Sequence, residues 1–308
     1  MKLGMVGLGR MGGNMAERLR QHGHDVVGFD RDPNVSDASD LADLVARLGD
    51  DGPRVAWVMV PSGEPTEGAV QELGRLLSEG DVVVDGGNSF FRDSQRRGEE
   101  LAALGIGFID CGTSGGVWGL QEGYCLMVGG EPEHVAVLQP AFDALAPPDG
   151  FAHCGPVGTG HYAKMVHNGI EYGLMHAYAE GYELLRAVDM PLDADAAIKA
   201  WRSGSVVRSW LLDLLVLALE KDPKLSSFTG MASDSGEGRW TVNEAVRLAV
   251  PLPVISAALF ARFASRQEVS PAMQAISALR SQFGGHSEQA MDRRTAESTE
   301  ESGDVKPG

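Results

Sequence analysis

The sequence contains little cysteine and no long apolar run. Its three cysteines, Cys111, Cys125 and Cys154, are odd in number and match no zinc or redox spacing. We therefore expect three reduced core thiols, without a disulfide framework or a bound metal. The most hydrophobic stretch, residues 211–220, is too short to span a membrane and contains Asp213. Because the opening residues also lack a secretory signal, we expect a cytoplasmic protein without membrane association.

Positive charge is scarce as well. The chain has 26 Lys and Arg against 43 Asp and Glu, for a formal net charge of −17. A surface of this charge repels polyanions, so nucleic acids are not expected as partners. An anionic small molecule would need a local cluster of Lys, Arg and His. With 308 residues, 43% hydrophobic and 22% charged, the chain has a globular composition and is long enough for one large domain or two ordinary ones.

Short apolar runs alternate with amphipathic stretches in the first half of the chain. The runs are rich in Val and Ile and cover residues 3–8, 25–30, 54–60, 81–85, 107–111 and 124–130. Continuous apolar runs are typical of strands that are covered on both faces. Helical stretches are predicted at residues 13–22, 64–77, 92–104 and 131–145. This alternation predicts βαβ units around a parallel sheet.

The pattern changes near residue 156, after two turn signals at 147–150 and 155–156. The following segments are predicted as helices: residues 158–188, 193–204, 210–221, 241–248 and 251–266. The predicted fold is an α/β Rossmann-like dinucleotide-binding domain followed by an all-α domain. We expect the domains to span residues 1–156 and 157–286, with a disordered polar tail over residues 287–308.

A glycine-rich motif, GLGRMG at residues 7–12, joins the first predicted strand to the first predicted helix. In such a motif the glycines allow a tight turn, close approach of a pyrophosphate and close helix–strand packing. Asp30 ends the second predicted strand, where a carboxylate binds the adenine ribose and repels a 2′-phosphate. Arg31 could hold that phosphate, so NAD is favoured and NADP is the alternative. The predicted cofactor contacts here are Gly7, Leu8, Gly9, Arg10, Met11, Gly12, Asp30 and Arg31.

The predicted helix after the first domain carries a polar stripe. Lys164, His167, Asn168 and Glu171 are spaced i, i+3, i+4 and i+7, which places them on one helix face. A solvated surface face is the alternative interpretation. The position of the stripe next to the nucleotide domain favours a catalytic cleft, in which a desolvated lysine could act as a base.

Two loops of the first domain support such a cleft. The segments DGGNS, residues 85–89, and GTSGG, residues 112–116, each follow an apolar strand. They should therefore lie at the carboxyl edge of the sheet, where ligands bind. Both offer backbone N–H groups and a small polar side chain, although ordinary turns have the same composition.

These motifs, in this order and with KMVHNGIEYG at residues 164–173, resemble the decarboxylating 6-phosphogluconate dehydrogenase family. That family belongs to the β-hydroxyacid dehydrogenase group, and the chain resembles its short form over residues 1–286. The resemblance implies oxidation and decarboxylation of 6-phosphogluconate to ribulose 5-phosphate, a reaction of the pentose phosphate pathway. It implies that Lys164 is the general base and Glu171 the acid.

The resemblance also implies the substrate contacts. Substrate carboxylate and hydroxyls would contact Ser114, Gly115, Gly116, His167 and Asn168, with Asn88 between substrate and nicotinamide and Tyr172 at the phosphate. Val60 and Pro61, in the segment 59–63, would flank the cofactor.

Cations for the phosphate are implied at the end of the helical domain. The segments LFARF and RSQFGGH match the family at Arg262, Arg280 and His286, of which the last two would reach a neighbouring subunit. We therefore expect a homodimer or homotetramer with shared active sites. The segment SGEGRWT departs from the family because Ser235 occupies the position of a phosphate-binding lysine, and Arg239 is the nearest cation.

Two alternatives stay open at this stage. One is another β-hydroxyacid dehydrogenase or an imine reductase that acts on a non-phosphorylated substrate, since such enzymes share the fold and often the lysine. The other is a non-catalytic dinucleotide-binding protein, which would not need Lys164 or Glu171.

Overall fold

The computed structural model describes residues 1–284. His286 and the stretch 287–308, which was predicted to be disordered, lie outside the described residues. Residues 1–227 and 234–259 form one compact unit, and residues 228–233 form a second with the chain from residue 260. The predicted division into domains at residue 156 stays a prediction.

A seven-stranded sheet lies in the first unit. Its strands are β1 (Lys2–Val6), β2 (Asp25–Phe29), β3 (Val55–Val58), β4 (Val82–Asp85), β5 (Gly107–Ser114), β6 (Cys125–Gly130) and β7 (Phe151–Gly155). They are arranged in the order β2-β1-β3-β4-β5-β6-β7. All neighbours are parallel except β5 and β6. The connection between these two strands, residues 115–124, is too short for the crossover that parallel strands need. The prediction of a fully parallel sheet is therefore wrong for this pair.

Twelve helices accompany the sheet within the described residues. They are α1 (Arg10–Gln21), α2 (Leu41–Leu48), α3 (Glu64–Leu76), α4 (Phe91–Ala102), α5 (Gly119–Glu122), α6 (Pro132–Leu145), α7 (Thr159–Ala187), α8 (Ala194–Trp201), α9 (Trp210–Lys221), α10 (Glu237–Leu248), α11 (Pro253–Ser265) and α12 (Pro271–Gly284). From Thr159 to residue 284 the described chain contains helices and no further strand. The predicted fold class is confirmed.

The core has two layers, one on each face of the sheet. On one face, α1 and α6 bury residues at helical spacing, such as Met15 with Leu19 and Leu138 with Phe142, against Trp57. On the other face, α2, α3 and α4 bury apolar side chains that include Leu44, Leu73 and Leu101. Both faces of the strands are therefore covered, which accounts for their nearly continuous apolar sequence.

Two further expectations can be compared with the described chain. Cys111 is buried, but Cys125 and Cys154 are exposed, so the expectation of three core thiols is wrong for two of them. Cys125 is the first residue of β6, and Cys154 lies on β7, an edge strand in which residues 152–154 are all exposed. Among residues 1–284, every helix is too short or too polar to cross a bilayer.

Candidate active site

The strand order reverses at β1, which lies between β2 and β3. In open α/β sheets, ligands bind in the crevice outside the carboxyl ends of the strands at such a reversal. The segment 9–12 after β1 and the segment 59–61 after β3 line a cleft at this position. Val60 and Pro61 therefore line the same cleft as the glycine-rich loop, and their contact with a cofactor stays a prediction.

The glycine-rich loop fits a pyrophosphate. Gly7 has a φ of +95°, and a side chain at Gly12 would overlap the carbonyl oxygen of Gly7. A Cβ at Gly9 would meet no atom within 4 Å, so the backbone is open to a ligand there. Since Gly9 has no capping side chain, the first N–H groups of α1 and the positive end of its dipole are available to an anion.

Asp30 connects the end of β2 to this loop. Its Oδ2 accepts a hydrogen bond from the Leu8 N–H at 2.7 Å, and its Oδ1 accepts one from the Asp32 N–H at 3.0 Å. The N–H groups of Asp32 and then Leu8 hold the pKa of Asp30 below its ordinary value, although burial opposes them. The carboxylate is therefore ionised at neutral pH and retains lone pairs that can accept from ribose hydroxyls. Arg31 next to it is exposed.

A buried ion pair supports the loop that carries Asn88. Asp85, at the end of β4, accepts hydrogen bonds from the Gly87 N–H at 3.1 Å and from Arg97 Nη1 at 3.2 Å. Arg97 is 2% exposed and also donates to Glu67 at 2.9 Å. Removing one partner of a buried pair costs about 3–5 kcal/mol because the other charge is left uncompensated. The pair therefore fixes the loop that places Asn88 on the cleft wall.

Strand β5 and helix α7 approach each other closely next to Ser114. A Cβ at Gly112 would lie 2.5 Å from the Cβ of Lys164, so a side chain does not fit there. The glycine brings Lys164 against the strand that ends at Ser114. Gly115 and Gly116 follow with φ values of +138° and +56° and also line the cleft.

Asp110 of β5 fixes the start of α7. The carboxylate is fully buried and accepts hydrogen bonds from the Gly158 N–H at 2.6 Å and from the His161 N–H at 2.7 Å. Backbone N–H groups at a helix N-terminus lack intrahelical partners, and a negative charge there is favoured by the helix dipole. Asp110 therefore anchors the turn that immediately precedes Lys164.

Lys164 lies in the cleft with two carboxylates. Burial lowers the pKa of Lys164, whereas the negative charges of Glu171 and then Glu237 raise it, and the net change is a decrease. A desolvated lysine loses its proton more easily than an exposed one, which is the condition for a lysine general base.

A chain of polar contacts runs along the same wall. Ser114 Oγ lies 3.4 Å from His167 Nε2, and His167 Nδ1 lies 3.0 Å from Asn168 Oδ1. Asn168 Nδ2 donates to Glu237 Oε1 at 2.9 Å. Glu237 also accepts from the Ser235 hydroxyl. The predicted stripe on α7 is therefore connected both to β5 and to the start of α10.

These parts line one cleft of about 1380 Å³ within the first unit. Its polar and charged side chains are Arg10, Asn88, Thr113, Ser114, Lys164, His167, Asn168, Glu171 and Glu237. Apolar side chains, including those of Trp118 and Trp210, form another part of the wall. The volume is sufficient for a nucleotide cofactor together with a small substrate.

Some predicted residues are not among those that line this cleft. Tyr172 is 5% exposed, and its hydroxyl accepts from the Ser235 N–H at 3.1 Å. Arg239 pairs with Asp234 at 2.8 Å. Arg262 and Arg280 belong to the second unit, where Arg262 donates to the Ser233 carbonyl oxygen at 2.9 Å. The roles of these residues in phosphate binding stay predictions, and His286 lies outside the described residues.

The sequence reasoning missed two residues that shape the site, Glu237 and Asp110. Glu237 opens a helix directly after Gly236, but only its packing against α7 shows that it reaches Asn168. Asp110 lies in the predicted strand 107–111. A carboxylate within an apolar run was the available signal, because a buried carboxylate needs hydrogen-bond partners.

Comparisons with known proteins agree with this geometry. Residues 2–158 match the NAD-binding domain of 6-phosphogluconate dehydrogenase, and residues 160–301 match the C-terminal domain of that enzyme. A 6-phosphogluconate dehydrogenase from Haloferax volcanii, described as NAD(+)-dependent and decarboxylating, is 44% identical over 297 residues, with 93% of this chain and 98% of the relative covered. The chain belongs to the 6-phosphogluconate dehydrogenase family.

Other members differ in length and in cofactor. A decarboxylating relative from Bacillus subtilis, described as NADP(+)-dependent, is 35% identical over 86% of this chain and 61% of its own length. The structure of 6-phosphogluconate dehydrogenase from Plasmodium falciparum superposes with a TM-score of 0.79 at 22% identity, covering 95% of this chain and 67% of that one. Membership of the family therefore establishes a NAD(P)-binding domain but does not choose between the two cofactors.

Proposed function

We propose that the protein oxidises and decarboxylates 6-phosphogluconate to ribulose 5-phosphate and CO₂, with NAD as the hydride acceptor, as a step of the pentose phosphate pathway. The observation that carries the proposal is Lys164, a desolvated lysine in the same cleft as an open glycine-rich loop. Family membership supports the substrate, since relatives with that name match nearly the whole chain.

Lys164 supplies the base in this mechanism. Its amine takes the proton of the substrate C3 hydroxyl, and C3 becomes a carbonyl as the C3–H bond breaks and its electron pair leaves with the hydrogen as hydride. When bound, the nicotinamide supplies the acceptor for the C3 hydride. The product is a β-keto acid, in which the bond between C1 and C2 breaks and its electron pair moves toward the C3 carbonyl. Protonated Lys164 then donates its proton to that oxygen, so the lysine returns to its starting state as CO₂ leaves.

Glu171 completes the reaction. The enediol that remains needs a proton on the carbon that becomes C1 of the product. Glu171 lies on the same face of α7, one turn after His167 and two turns after Lys164. Its Oε2 lies 4.0 Å from His167 Nδ1. Ser114, Gly115 and Gly116 hold the substrate carboxylate through the Ser114 hydroxyl and backbone N–H groups, while His167 and Asn168 contact hydroxyls.

We propose NAD rather than NADP because of Asp30. Its carboxylate is ionised, accepts hydrogen bonds from two backbone N–H groups and so has a fixed position next to the loop. In that position it accepts from a ribose 2′-OH and repels a 2′-phosphate. Arg31 is the opposing feature, because an exposed guanidinium could bind the phosphate of NADP.

The substrate phosphate would be bound by cations from outside the first unit, Arg262, Arg280 and His286, the last two from a neighbouring subunit. Arg280→Ala and Lys164→Ala homo-oligomers should each have little activity. In a mixed dimer, one site combines an intact lysine with an intact arginine, so activity should approach half that of the wild type. If the two variants are shown to have exchanged subunits and the mixture still recovers no activity, the shared site is refuted.

One assay tests the main proposal. The protein is incubated with 6-phosphogluconate and either NAD or NADP, and reduced nicotinamide and CO₂ are followed together. Equal molar amounts of both products, with a higher kcat/KM for NAD, are expected. Reduced nicotinamide without CO₂ would refute the decarboxylation, and the absence of both products would refute the substrate.

A second candidate is a dehydrogenase of the same group that acts on a non-phosphorylated hydroxy acid. The observation that favours it is the charge of the cleft. Among the described lining residues the cations are Arg10 and Lys164, and the negative charges of Glu171 and Glu237 balance them. The same assay with gluconate and 3-hydroxyisobutyrate separates the two candidate functions. If the second candidate is right, kcat/KM for gluconate or for 3-hydroxyisobutyrate should exceed kcat/KM for 6-phosphogluconate.

A further inference from the structure

Glu237 is a buried carboxylate in the cleft wall to which neither the fold nor the proposed chemistry assigns a role. It is 2% exposed and begins α10. The Thr241 hydroxyl, one turn later, donates to the Met165 carbonyl oxygen at 2.9 Å, and Gly169 packs against Thr241. These contacts hold α10 beside α7 and place Glu237 opposite Asn168.

The carboxylate determines how the Asn168 amide is oriented. An ionised carboxylate can only accept hydrogen bonds, so it requires a donor from each neighbour. Asn168 presents Nδ2 to Glu237 Oε1 at 2.9 Å, and the Ser235 hydroxyl donates to the other oxygen. A flipped Asn168 would place its carbonyl oxygen against the carboxylate, where two acceptors repel each other. Asn168 Oδ1 must therefore face away from Glu237.

The amide in turn determines which nitrogen of His167 carries the hydrogen. Asn168 Oδ1 is an acceptor and lies 3.0 Å from His167 Nδ1, so Nδ1 must be the donor. In the neutral ring Nε2 is then an acceptor. Nε2 lies 3.4 Å from Ser114 Oγ on the side of the cleft. Glu171 Oε2 is 4.0 Å from Nδ1, which is too far for a hydrogen bond.

We propose that Glu237 is a positioning residue that, through Asn168, fixes the Nδ1–H tautomer of His167. The cleft then receives a hydrogen-bond acceptor at His167 Nε2. An acceptor there selects a hydroxyl of the substrate and disfavours a carboxylate, which leaves the substrate carboxylate to Ser114 and the loop that follows it. This last consequence rests on the proposed function, whereas the tautomer does not.

The tautomer can be measured on the full-length protein labelled with ¹⁵N-histidine, with His167→Gln used to assign the ring signals. In the wild type, Nδ1 should have the chemical shift of a protonated nitrogen and Nε2 that of an unprotonated one. Glu237→Met removes both acceptor oxygens at similar side-chain length, so both tautomers should be populated. Glu237→Gln can present its carbonyl oxygen to Asn168 and its NH₂ group to Ser235, so it should restore the wild-type pattern.

Each result decides the proposal. A wild type with hydrogen on Nε2, or a folded Glu237→Met variant that keeps the wild-type tautomer, would overturn it. If Glu237→Met changes the tautomer and Glu237→Gln does not restore it, the negative charge and not the hydrogen bond is responsible, and the positioning role is refuted. If Glu237→Met does not fold, Asn168→Ala can be used instead, because it removes the side chain that connects Glu237 to His167. Alanine is a good helix former, so this variant should keep α7 intact and should also populate both tautomers.

A matched control lies on the same helix. Glu244 is also buried, at 6% exposure, but pairs with Arg247 and Arg92 and does not line the cleft. Glu244→Met should leave the His167 tautomer unchanged. If Glu244→Met changes the His167 tautomer as much as Glu237→Met does, the proposal is overturned. The loss of any buried carboxylate from α10 would then be enough to change the tautomer.

Kinetics provide the functional arm. Glu237→Met should raise KM for 6-phosphogluconate about tenfold, as expected for one lost oriented hydrogen bond, while KM for the nicotinamide cofactor changes less than twofold. Glu237→Gln should recover most of this loss. If the wild type does not turn over 6-phosphogluconate, the proposed function fails, and the NMR result still decides the role of Glu237.

Discussion

Replacing Asp110 with Asn tests how the sheet positions α7, the helix that carries Lys164. The change keeps size and shape, but an amide offers one carbonyl oxygen where the carboxylate offers two acceptors. Gly158 N–H and His161 N–H both need acceptors at 2.6 and 2.7 Å, so one of them is left facing an NH₂ group. An unsatisfied buried donor costs about 1–3 kcal/mol. Loss of a charge at the helix N-terminus adds about 0.3–2 kcal/mol.

Because such contributions are not additive, we expect the free energy of unfolding to fall by about 2–4 kcal/mol. For a protein of this size, the corresponding decrease in Tm is about 3–6 °C. Urea unfolding should give a lower midpoint with an unchanged m-value. Asp143→Asn is the control, since Asp143 is exposed on α6 and, within residues 1–284, its side chain accepts only from Gln139. A surface change of this kind costs less than about 0.5 kcal/mol. A loss for Asp110→Asn below 1 kcal/mol would refute this account of the N-terminus of α7.

Three further predictions concern activity. Lys164→Ala should lower kcat by about 10²–10⁴ while the Kd of NAD stays within twofold in fluorescence titration, and a kcat within threefold of wild type would contradict the role of the base. Asp30→Ala should shift the ratio of kcat/KM values from NAD toward NADP, because Arg31 remains while the repulsive carboxylate is gone; a wild type that already prefers NADP would contradict this. Since burial lowers the pKa of Lys164, kcat/KM should rise with pH through a pKa below 10.5. Glu171→Gln removes a negative charge that raises this pKa. The rise of kcat/KM with pH, measured on the residual activity of the variant, should therefore move to lower pH, and a move to higher pH would refute the assignment of this pKa to Lys164.

The fold was largely predictable from local sequence patterns. All six predicted strands and nine predicted helices are present, because strands buried on both faces and amphipathic helices have distinct apolar patterns. The prediction omitted β7, whose residues 151–155 include His153 and Cys154 and form an exposed edge strand without an apolar run. It also omitted three helices, the short α5 together with α2 and α12. The signal for α2 was present: Asp40 caps the helix, and apolar residues follow at i, i+3, i+4 and i+7.

The candidate site was predictable where its residues lie close together in the sequence or directly follow a predicted strand. The residues of loop 7–12 are neighbours in the sequence, and so are those of the stripe on α7. Spacing alone therefore placed the members of each group on one surface. Glu237 contacts Asn168 across 69 positions of the chain, and Asp110 contacts His161 across 51. Such contacts depend on how α7 packs against β5 and α10, and no local pattern encodes that packing.

Charge connects the acidic composition to the architecture of the site. The described cleft residues offer Arg10 after the glycine-rich loop and Lys164 on α7, and in the proposed mechanism Lys164 must lose its charge to act as a base. Glu171 and Glu237 leave the cleft around Lys164 without a net positive charge. A phosphate of charge near −2 bound there would therefore need cations beyond the described lining residues, since charge-assisted hydrogen bonds are what hold such groups. If the substrate is phosphorylated, as proposed, its affinity should depend on the predicted cations outside that lining, Arg239, Arg262 and Arg280. Unchanged affinity after their replacement by alanine would refute these predicted phosphate contacts.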